Sequence, residues 1–395
     1  MRRFTIFPTL LLSGLVWQGC QTTPPPSSFA FLPDKLAAID ASNTMAIAER
    51  RMPGAVLWLE HEGVVYRKAF AQRAIEPLPE PMTEDTIFDA ASLTKVIATA
   101  PAVMILMERG LINPDEPVQK YIEEFRRDGK DAITVRHLLT HTSGLRSGLR
   151  RQPDGPVSAI QIACTEVVTN TPGTLFRYSD INFILLGEIV RRVSGKPLQQ
   201  FTSDEIFHPL QMRDTRYLPL ASDWSRIAPT QYDGTNLLRG VVHDPTARHM
   251  GGVAGHAGLF TTAADLARYA RMLLNEGELE GVRILRPETV TAMTSIQSSA
   301  TVLARRGFGW DIDSDYSRRG AIFALGSYGH TGFTGTSIWI DPFSNTFLIL
   351  LTNRVHPDGK GDIRALQRTL ATLAAEAVGL HREAAAGTNA VVRQP

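Results

Sequence analysis

Strand-forming segments lie near both ends of this 395-residue chain, and the stretch between them has mostly helical patterning. Residues 54–60 and 64–70 are β-rich apolar runs separated by a short Gly-containing loop, which predicts a hairpin. Residues 307–313, 336–340 and 347–352 are also strand-like. A single sheet can hold all of these strands only if it is assembled from the two chain ends.

Helical spacing of apolar residues predicts helices around and between these strands. The predicted helices cover residues 34–50, 92–109, 135–139, 158–169, 182–193, 198–207, 263–275 and 362–378. We therefore predict an α/β fold of the α+β kind over residues 31–380. It combines an antiparallel sheet and flanking helices with an inserted, mostly helical lobe at roughly 111–300. The cleft between the lobes is the expected site, and residues 381–395 form a tail.

The first twenty residues, 1–20, resemble a bacterial export signal of the lipoprotein type. Two arginines precede an apolar run that ends at Gly19-Cys20, and residues 21–30 form a Pro/Ser-rich linker. This pattern predicts export to the periplasm or cell envelope with Cys20 lipidated, although Trp17 stands where the motif prefers Leu. Plain secretion and an uncleaved anchor are the alternatives. We expect no other stretch to cross a membrane.

The charge balance and the cysteine count exclude several classes of protein. Lys and Arg number 41 against 40 Asp and Glu, so the basic excess of a nucleic-acid-binding protein is missing. No phosphate-binding Gly-Lys-Ser/Thr loop occurs in the sequence. The second of the two cysteines, Cys164, has no partner once Cys20 is removed or lipidated, and it is expected to be a packed core residue.

The segment from Asp89 to Lys95 carries the strongest chemical signal. Ser92 and Lys95 stand one helical turn apart at a predicted helix start, where Ser92 is placed to act as the N-cap. A serine hydroxyl becomes a good nucleophile when a neighbouring base takes its proton, and an amine in a partly desolvated site can do so. Pro101 is expected to kink this helix because it lacks a backbone N–H.

Two further segments are candidates for the same chemistry. Tyr178-Ser-Asp180 precedes a helix, and the tyrosine is a candidate base. To act near neutral pH its pKa must fall from about 10 towards 7, roughly 4 kcal/mol of electrostatic stabilisation, which Lys95 is placed to supply in part. His330-Thr-Gly enters a strand from a Gly-rich turn, a place where a backbone or ligand approaches closely.

Taken together and in this order, the three segments resemble the motifs of the penicillin-recognising serine hydrolases. That family includes class C β-lactamases, D,D-carboxypeptidase penicillin-binding proteins and related esterases. The resemblance covers roughly residues 35–375 and extends to residues 138–145 and 255–262. Residues 242–244 with 251–255 look closest to the carboxypeptidase-like penicillin-binding proteins.

The resemblance implies a β-lactamase/transpeptidase-like fold and a hydrolase without cofactor or metal. Its substrate would be a small molecule or peptide: a cell-wall peptide, a β-lactam or an ester. Ser92 would form the acyl-enzyme, Lys95 and Tyr178 would share acid–base duty, and the backbone N–H groups of Ser92 and Phe333 would form the oxyanion hole. The other predicted substrate- and oxyanion-binding residues are Asp180, His330, Thr331 and Gly332.

Two residues depart from the family pattern. Asp180 stands where Asn is more usual, so an amide donor is replaced by a carboxylate. His330 stands where Lys is usual, so the positive charge at that position depends on pH. Both changes bear on how an anionic substrate is recognised.

Other interpretations are weaker. His243, His249 and His256 lie beside Asp244, but their spacing fits no compact zinc pattern. His141 is expected to satisfy backbone groups at a helix end. No Gly-x-Ser-x-Gly elbow is present, which argues against an α/β-hydrolase. An esterase of the same fold and a binding protein that is acylated without turnover remain the alternatives to a D,D-peptidase or β-lactam hydrolase.

Overall fold

The computed structural model describes residue 1 and residues 30–126, 128–382 and 391–393. The predicted export signal with Cys20, nearly all of the predicted linker and most of the tail lie outside the described residues. From Phe31 onward the chain forms one compact unit.

An eight-stranded antiparallel sheet forms the centre of this unit. Its middle is the pairing of Gly54–His61, near the start of the chain, with Thr346–Leu351, near the end. Both strands are buried along almost their whole length, as uninterrupted apolar runs predict. The predicted sheet built from both chain ends is therefore confirmed. In spatial order its strands are Arg305–Arg306, Asp311–Asp313, Tyr328–Thr331, Ser337–Asp341, Thr346–Leu351, Gly54–His61, Val64–Ala74 and Glu80–Pro81.

Helices cover the sheet and fill the middle of the chain. Pro33–Ala48 packs against Arg364–Ala377, so two helices from opposite chain ends form a pair that also contacts the sheet. Ala263–Leu274 packs against the two central strands. The fold class, a sheet with a mostly helical insertion, is confirmed. The other α-helices of the described residues are Ala100–Glu108, Val135–Leu139, Pro156–Cys164, Asp180–Ser194, Leu198–Thr202, Pro245–His249 and Pro287–Thr294.

A buried carboxylate joins the sheet to one of these helices. Glu60 is only 3% exposed, and both of its oxygens accept hydrogen bonds from Arg271, at 2.7 and 2.8 Å. The indole N–H of Trp58 donates to the same carboxylate at 2.9 Å. These bonds satisfy a charge that would otherwise be costly to bury.

Short strands organise the helical part of the chain. Phe88–Asp89 and Arg216–Tyr217 pair with opposite edges of Leu259–Thr261 in a three-stranded sheet. Because Phe88–Asp89 leads directly into Ser92, this small sheet fixes where the nucleophile segment begins. The remaining strands form ribbons: Glu278–Leu279 with Val282–Arg283, Tyr232–Asp233 with Asn236–Leu237, and Leu380–Arg382 with Val391–Arg393.

The helix predicted over residues 92–109 is three helical pieces. Ala91–Leu93 is a 3₁₀ turn, Lys95–Thr99 is a π-helical turn and Ala100–Glu108 is α-helical. The amide of Ala100 donates to the carbonyl of Lys95, a shift of the hydrogen-bond ladder just before Pro101. Pro101 has no backbone N–H to donate, which accounts for the shift in the hydrogen bonds there. In place of the predicted kink, the helix contains a π-helical turn. By length and composition Ala91–Glu108 is apolar enough to cross a membrane, contrary to our expectation, but 83% of this stretch is buried inside the domain.

Other predicted boundaries were wrong for identifiable reasons. Of the strand predicted over residues 307–313 only Asp311–Asp313 forms, because the chain turns at Gly309, which has a φ of +84°. The preceding strand, Arg305–Arg306, ends before this range. The helix predicted over residues 158–169 ends at Cys164. The helix predicted over residues 198–207 becomes a π turn after Thr202.

Candidate active site

Ser92 lies on a tight turn between the small sheet and the helix. The preceding residue, Ala91, has a φ of +47°, an uncommon conformation for a residue with a side chain. The Ala91 amide donates to Asp89 Oδ1 at 2.8 Å, which holds the turn. Ser92 makes no capping hydrogen bond, contrary to the prediction, and its hydroxyl accepts from the lysine one turn further on.

Lys95 is fully buried and surrounded by acceptors. Its Nζ donates to Ser92 Oγ at 3.0 Å and to the backbone carbonyl of His256 at 2.9 Å. The same nitrogen lies 2.8 Å from Asp180 Oδ1. It also lies 5.0 Å from the centre of the Tyr178 ring. The ammonium is therefore anchored by the protein and directed at the serine hydroxyl.

Tyr178 completes a hydrogen-bonded cluster with these two residues. Its phenol hydroxyl is hydrogen-bonded to both Lys95 and Ser92. The ring packs on His141, with ring centres 4.5 Å apart, and stacks on Tyr316 at 5.5 Å. His141 is fully buried and its Nδ1 accepts from the Ser179 amide at 3.2 Å, so it satisfies a backbone group as expected and also positions Tyr178.

The protonation of this cluster differs from the simple expectation. Burial would lower the pKa of Lys95, but its interactions with Asp180 and Tyr178 outweigh burial and raise that pKa. Burial raises the pKa of Tyr178, Lys95 lowers it, and the net direction is upward. The fall in the tyrosine pKa that base catalysis near neutral pH would require is absent from the free site. In the resting state Lys95 is therefore an ammonium and Tyr178 a neutral phenol.

The strand Tyr328–Thr331 and the turn after it are tied to the nucleophile segment. Thr334 Oγ1 donates to the Asp89 carbonyl at 2.8 Å, and Thr336 Oγ1 donates to the Ala90 carbonyl at 3.0 Å. A Cβ atom added at Gly332 would lie 2.6 Å from the Ala90 carbonyl oxygen, so only glycine allows this approach. Residues 332–336 are thereby held against the segment that leads into Ser92.

His330 faces the same cleft as a neutral ring. It is 5% exposed, and its ring centre lies 6.0 Å from that of Tyr178. Burial, with further contributions from Arg306 and Lys95, lowers its pKa well below the usual value. Its Nδ1 lies 2.9 Å from the Thr331 carbonyl, which can only accept, so this nitrogen carries the proton. At neutral pH His330 supplies no positive charge.

The charge on this side of the site comes from arginines that the sequence motifs do not include. A cleft of 760 Å³ is lined by Ser92, Tyr178 and His330 together with Arg318 and Arg354. Among the described residues, the Arg318 guanidinium donates only to the backbone carbonyls of residues 315 and 317, at 3.2 and 2.9 Å. Arg354 donates to the Gly361 carbonyl at 2.5 Å and lies 4.8 Å above the Phe333 ring. Within the described part of the chain neither guanidinium forms an ion pair.

A second cavity, of 370 Å³, meets the first at Ser92 and Phe333. Its wall includes His243, Asp244 and His256. Asp244 Oδ1 lies 2.9 Å from His256 Nε2, and the His243 ring stacks on Phe333 with ring centres 5.5 Å apart.

Other sequence features lie away from this chemistry. Among the described residues, no group of three or more His, Cys, Asp or Glu side chains is placed to hold a metal ion. His249 is exposed, away from the pair formed by Asp244 and His256. Cys164 is buried in the core, and burial raises the pKa of its thiol to about 12, so it is an unreactive packing residue as expected.

The structure brings the three predicted segments to one cleft. Ser92, Lys95 and Tyr178 share hydrogen bonds, Asp180 contacts Lys95, and His330 lies beside Tyr178. Sequence reasoning missed the contributions of Arg318, Arg354, Tyr316 and the pair formed by Asp244 and His256. The only available signal was for that pair, because both residues fall within or beside stretches that carry the family resemblance.

Comparisons with known proteins agree with this arrangement. The sequence matches the family model described as Beta-lactamase over residues 37–373. A protein of Escherichia coli (strain K12) named as a D-alanyl-D-alanine carboxypeptidase is 32% identical over 345 residues, 76% of this chain and 78% of that protein. An N-acetylmuramyl-L-alanine amidase of Bacillus subtilis (strain 168) is 33% identical over 367 residues, 82% of each chain.

A similar fold occurs in a solved structure. A penicillin-binding protein homologue from Caulobacter crescentus superposes with a TM-score of 0.71 and 22% sequence identity, over 88% of this chain and 98% of that one. At that identity the likeness concerns the fold alone.

Proposed function

We propose that this chain, which belongs to the β-lactamase family and is a serine hydrolase of that fold, releases the carboxyl-terminal residue of a cell-wall peptide through an acyl-enzyme on Ser92. The relatives named as D-alanyl-D-alanine carboxypeptidases support a peptide substrate. The geometry of the cleft supports one that ends in a free carboxylate.

The observation that carries this proposal is a buried guanidinium, that of Arg318, which lines the same cleft as Ser92 and forms no ion pair with any described residue. Arg318 is 8% exposed, and burial lowers its pKa. Its Nε is buried and makes no hydrogen bond to any described residue. Burying a cation without a counterion is costly, so such a group favours a bound anion. Arg318 and Arg354 thus take the role of binding the substrate carboxylate, since neutral His330 supplies no charge.

The reaction follows from the contacts of the cluster. Ser92 Oγ forms a bond to the substrate carbonyl carbon while its proton passes to the coupled Lys95–Tyr178 pair. The amides of Ser92 and Phe333 stabilise the negative charge on the carbonyl oxygen. The C–N bond then breaks, and the pair returns the proton to the leaving amine. Water attacks the acyl-enzyme by the reverse proton path and restores the Ser92 hydroxyl.

The resting protonation state places a condition on this chemistry. Because the pKa values of both Lys95 and Tyr178 are raised, the pair must first lose a proton before it can accept one from Ser92. The active form is therefore favoured at higher pH.

A second candidate is hydrolysis of the amide between a muramyl group and a peptide. The relative named as an N-acetylmuramyl-L-alanine amidase, 33% identical over most of both chains, favours it. The same cluster would act, but the leaving group would be the amino end of a peptide. In that case the substrate would not need a free carboxylate on the residue that follows the cleaved bond.

The two candidates and the binding-protein alternative can be separated with one panel. Purified protein is incubated with an N-acylated peptide ending in D-Ala-D-Ala, with its carboxyl-terminal amide, with a muramyl dipeptide, with a fluorescent penicillin and with a chromogenic ester. Release of D-Ala and mass spectrometry of Ser92 are the measurements. We expect D-Ala release from the free carboxylate peptide, little from its amide, and none with Ser92→Ala.

Cleavage of the muramyl dipeptide alone would favour the amidase. Stable labelling of Ser92 without turnover of any reagent would favour a binding protein. If no reagent acylates Ser92, the proposed function is wrong.

We also propose that the chain is exported and held at the cell envelope by a lipid on Cys20. The arginine-containing start, the apolar run and the Gly19-Cys20 junction support this. Expression of the full chain and of Cys20→Ser, followed by cell fractionation and mass spectrometry of the amino terminus, tests it. A full-length protein that is soluble, or still carries residues 1–19, would contradict the anchor.

A further inference from the structure

The side chain of Asp89 joins the nucleophile turn to a second loop. Asp89 is only 2% exposed. Its Oδ1 accepts a hydrogen bond from the Ala91 amide at 2.8 Å, and its Oδ2 accepts one from the His243 amide at 2.6 Å. Each oxygen therefore holds a different segment of backbone, and a side chain can do this only if it has an acceptor at both positions.

The segment held by Oδ1 is the turn that leads into the nucleophile. Ala91 has a φ of +47°, a conformation that persists in a residue with a side chain only where the surroundings enforce it. The backbone of Asp89 is itself fixed, because it pairs with Phe260 and its carbonyl accepts from Thr334 Oγ1 at 2.8 Å. The carboxylate thus acts from a rigid base, and it helps to set the direction in which Ser92 leaves the turn.

The segment held by Oδ2 leads to the other partner of the catalytic hydrogen bond. His243 is followed by Asp244, whose Oδ1 lies 2.9 Å from His256 Nε2. The backbone carbonyl of His256 in turn accepts from Lys95 Nζ at 2.9 Å. A continuous path of contacts therefore runs from the Asp89 carboxylate to the nucleophile on one side and to the catalytic lysine on the other.

The ionised carboxylate of Asp89 is costly to the fold. Burial raises its pKa to about 6, and the amides of His243 and Ala91 oppose this only in part. Of the charges nearby, Asp244 raises this pKa and Arg248 lowers it, and Asp89 forms no ion pair with a described residue. As the pH rises from about 4, the usual value for the unfolded chain, to about 6, ionisation of Asp89 lowers the free energy of unfolding. Stability alone therefore does not explain a carboxylate at this position.

We propose that Asp89 is a positioning residue for the acylation of Ser92, and that its carboxylate holds the nucleophile turn in register with the segment that anchors Lys95. The inference rests on the proposed hydrolase function and adds a residue to which the three motifs assign no role. A protonated acid, or an asparagine, offers one acceptor and one donor, so one of the two amides loses its partner. The contact of 3.0 Å between Lys95 Nζ and Ser92 Oγ is then held less firmly, and acylation slows.

The experiment measures acylation of the wild type and of Asp89→Asn across a range of pH. A fluorescent penicillin in stopped flow and 4-nitrophenyl acetate in steady state are the two reagents. Well above the pKa of Asp89 we expect the variant to acylate about tenfold more slowly, the effect of one hydrogen bond to a charged acceptor. Below that pKa, which is about 6, the wild type also carries a protonated Asp89, so the two rates converge. Taking their ratio at each pH removes the titration of the Lys95–Tyr178 pair, which both proteins share.

Two further variants separate positioning from charge and from burial. Loss of a negative charge would by itself favour the deprotonated Lys95–Tyr178 pair and speed acylation, so slower acylation in Asp89→Asn cannot come from charge alone. Asp89→Ala lacks both acceptors and should be slower than Asp89→Asn at every pH.

Asp265→Asn is the matched control. Asp265 is 6% exposed, burial raises its pKa to about 6, and it accepts from the Asp214 amide at 2.8 Å. It lines neither cavity beside Ser92. This variant should acylate at the wild-type rate at every pH.

The outcomes distinguish a wrong inference from a wrong function. If Ser92 is acylated but the ratio of wild type to Asp89→Asn does not change with pH, or if Asp265→Asn is slowed equally, Asp89 has only a structural role and the hydrolase function stands. If neither reagent acylates Ser92 in the wild type, the proposed function is wrong, and the inference with it. Urea unfolding at each assay pH checks that the variants are folded, and Asp89→Asn alone decides if Asp89→Ala does not fold.

Discussion

Asp180 Oδ1 lies 2.8 Å from Lys95 Nζ, so the lysine next to the nucleophile is held as an ammonium in the free protein. The carboxylate is about a third exposed, whereas the lysine is fully buried. The lysine is therefore held in its charged form despite its burial, which alone would favour the neutral amine. For Ser92 to be activated, the Lys95–Tyr178 pair must first lose a proton.

Asp180→Asn is expected to shift the pH dependence of hydrolysis. The aspartate raises the pKa of Lys95 and of Tyr178, so its removal lowers both and the deprotonated, active form appears at lower pH. The rising limb of the kcat/KM profile should move down by about one pH unit or more. Asp204→Asn, at an exposed carboxylate paired with Lys196, is the control. An unchanged limb would show that Asp180 does not set the charge of the pair.

Arg318→Gln is expected to weaken hydrolysis of peptides that end in a carboxylate. Loss of a charge-assisted hydrogen bond corresponds to a decrease in kcat/KM of about ten- to a hundredfold. The amidated peptide should be almost unaffected, because it has no carboxylate to lose. Arg319→Gln is the matched control, since this neighbour already pairs with Asp313 at 3.0 Å. Equal losses for the free and amidated peptides would mean that Arg318 has only a structural role.

Gly332→Ala is expected to separate the strand from the nucleophile turn. The new Cβ would lie 2.1 Å from Thr336 Oγ1 and 2.6 Å from the Ala90 carbonyl oxygen, so one segment must move. We expect acylation at least a hundredfold slower and a destabilisation of about 1–3 kcal/mol, as for overpacking elsewhere. Gly148→Ala adds a methyl group with nothing within 4 Å and should leave both properties unchanged. Stopped-flow acylation and urea unfolding measure the two effects.

Arg271→Ala is expected to destabilise the fold without a direct effect on the site. It removes both guanidinium bonds to buried Glu60 and leaves a carboxylate with only the Trp58 N–H. We expect a loss of about 3 kcal/mol in the free energy of unfolding, at the lower end for a broken buried pair because Arg271 is a third exposed. Lys196→Ala, at an exposed pair, should cost less than about 1 kcal/mol. Similar losses for the two variants in urea denaturation would contradict this.

Patterns that depend on local sequence were predicted well. The central strands were found because runs such as residues 54–60 and 347–352 are apolar and bounded by turn residues. The three motifs were found because their residue types are chemically unusual at a helix start and beside a strand. Their meeting in one cleft followed from the sheet being assembled from both chain ends.

Features that depend on packing between distant segments were not predicted. The raised pKa of Tyr178 follows from burial and from Asp180, and a sequence motif shows neither the burial nor the distance between Asp180 and Lys95. No sequence pattern marks Arg318 as a binding residue. It is buried, and it forms no ion pair with a described residue, because of how the loop after Asp313 folds at the cleft. The turn at Gly309, which shortens the strand predicted over residues 307–313, packs against the helical segment that carries Lys95.

The pairing of Gly54–His61 with Thr346–Leu351 has a consequence for how the protein is made. Before residues 346–351 are synthesised, the strand Gly54–His61 has an apolar edge that pairs with no other strand. The strands that carry residues 330–333 are then also not joined to the first hairpin, so these residues are not held next to Ser92. Nascent chains are therefore inert and prone to aggregate until synthesis is nearly complete. A message truncated before codon 346 should yield an insoluble product without hydrolytic activity.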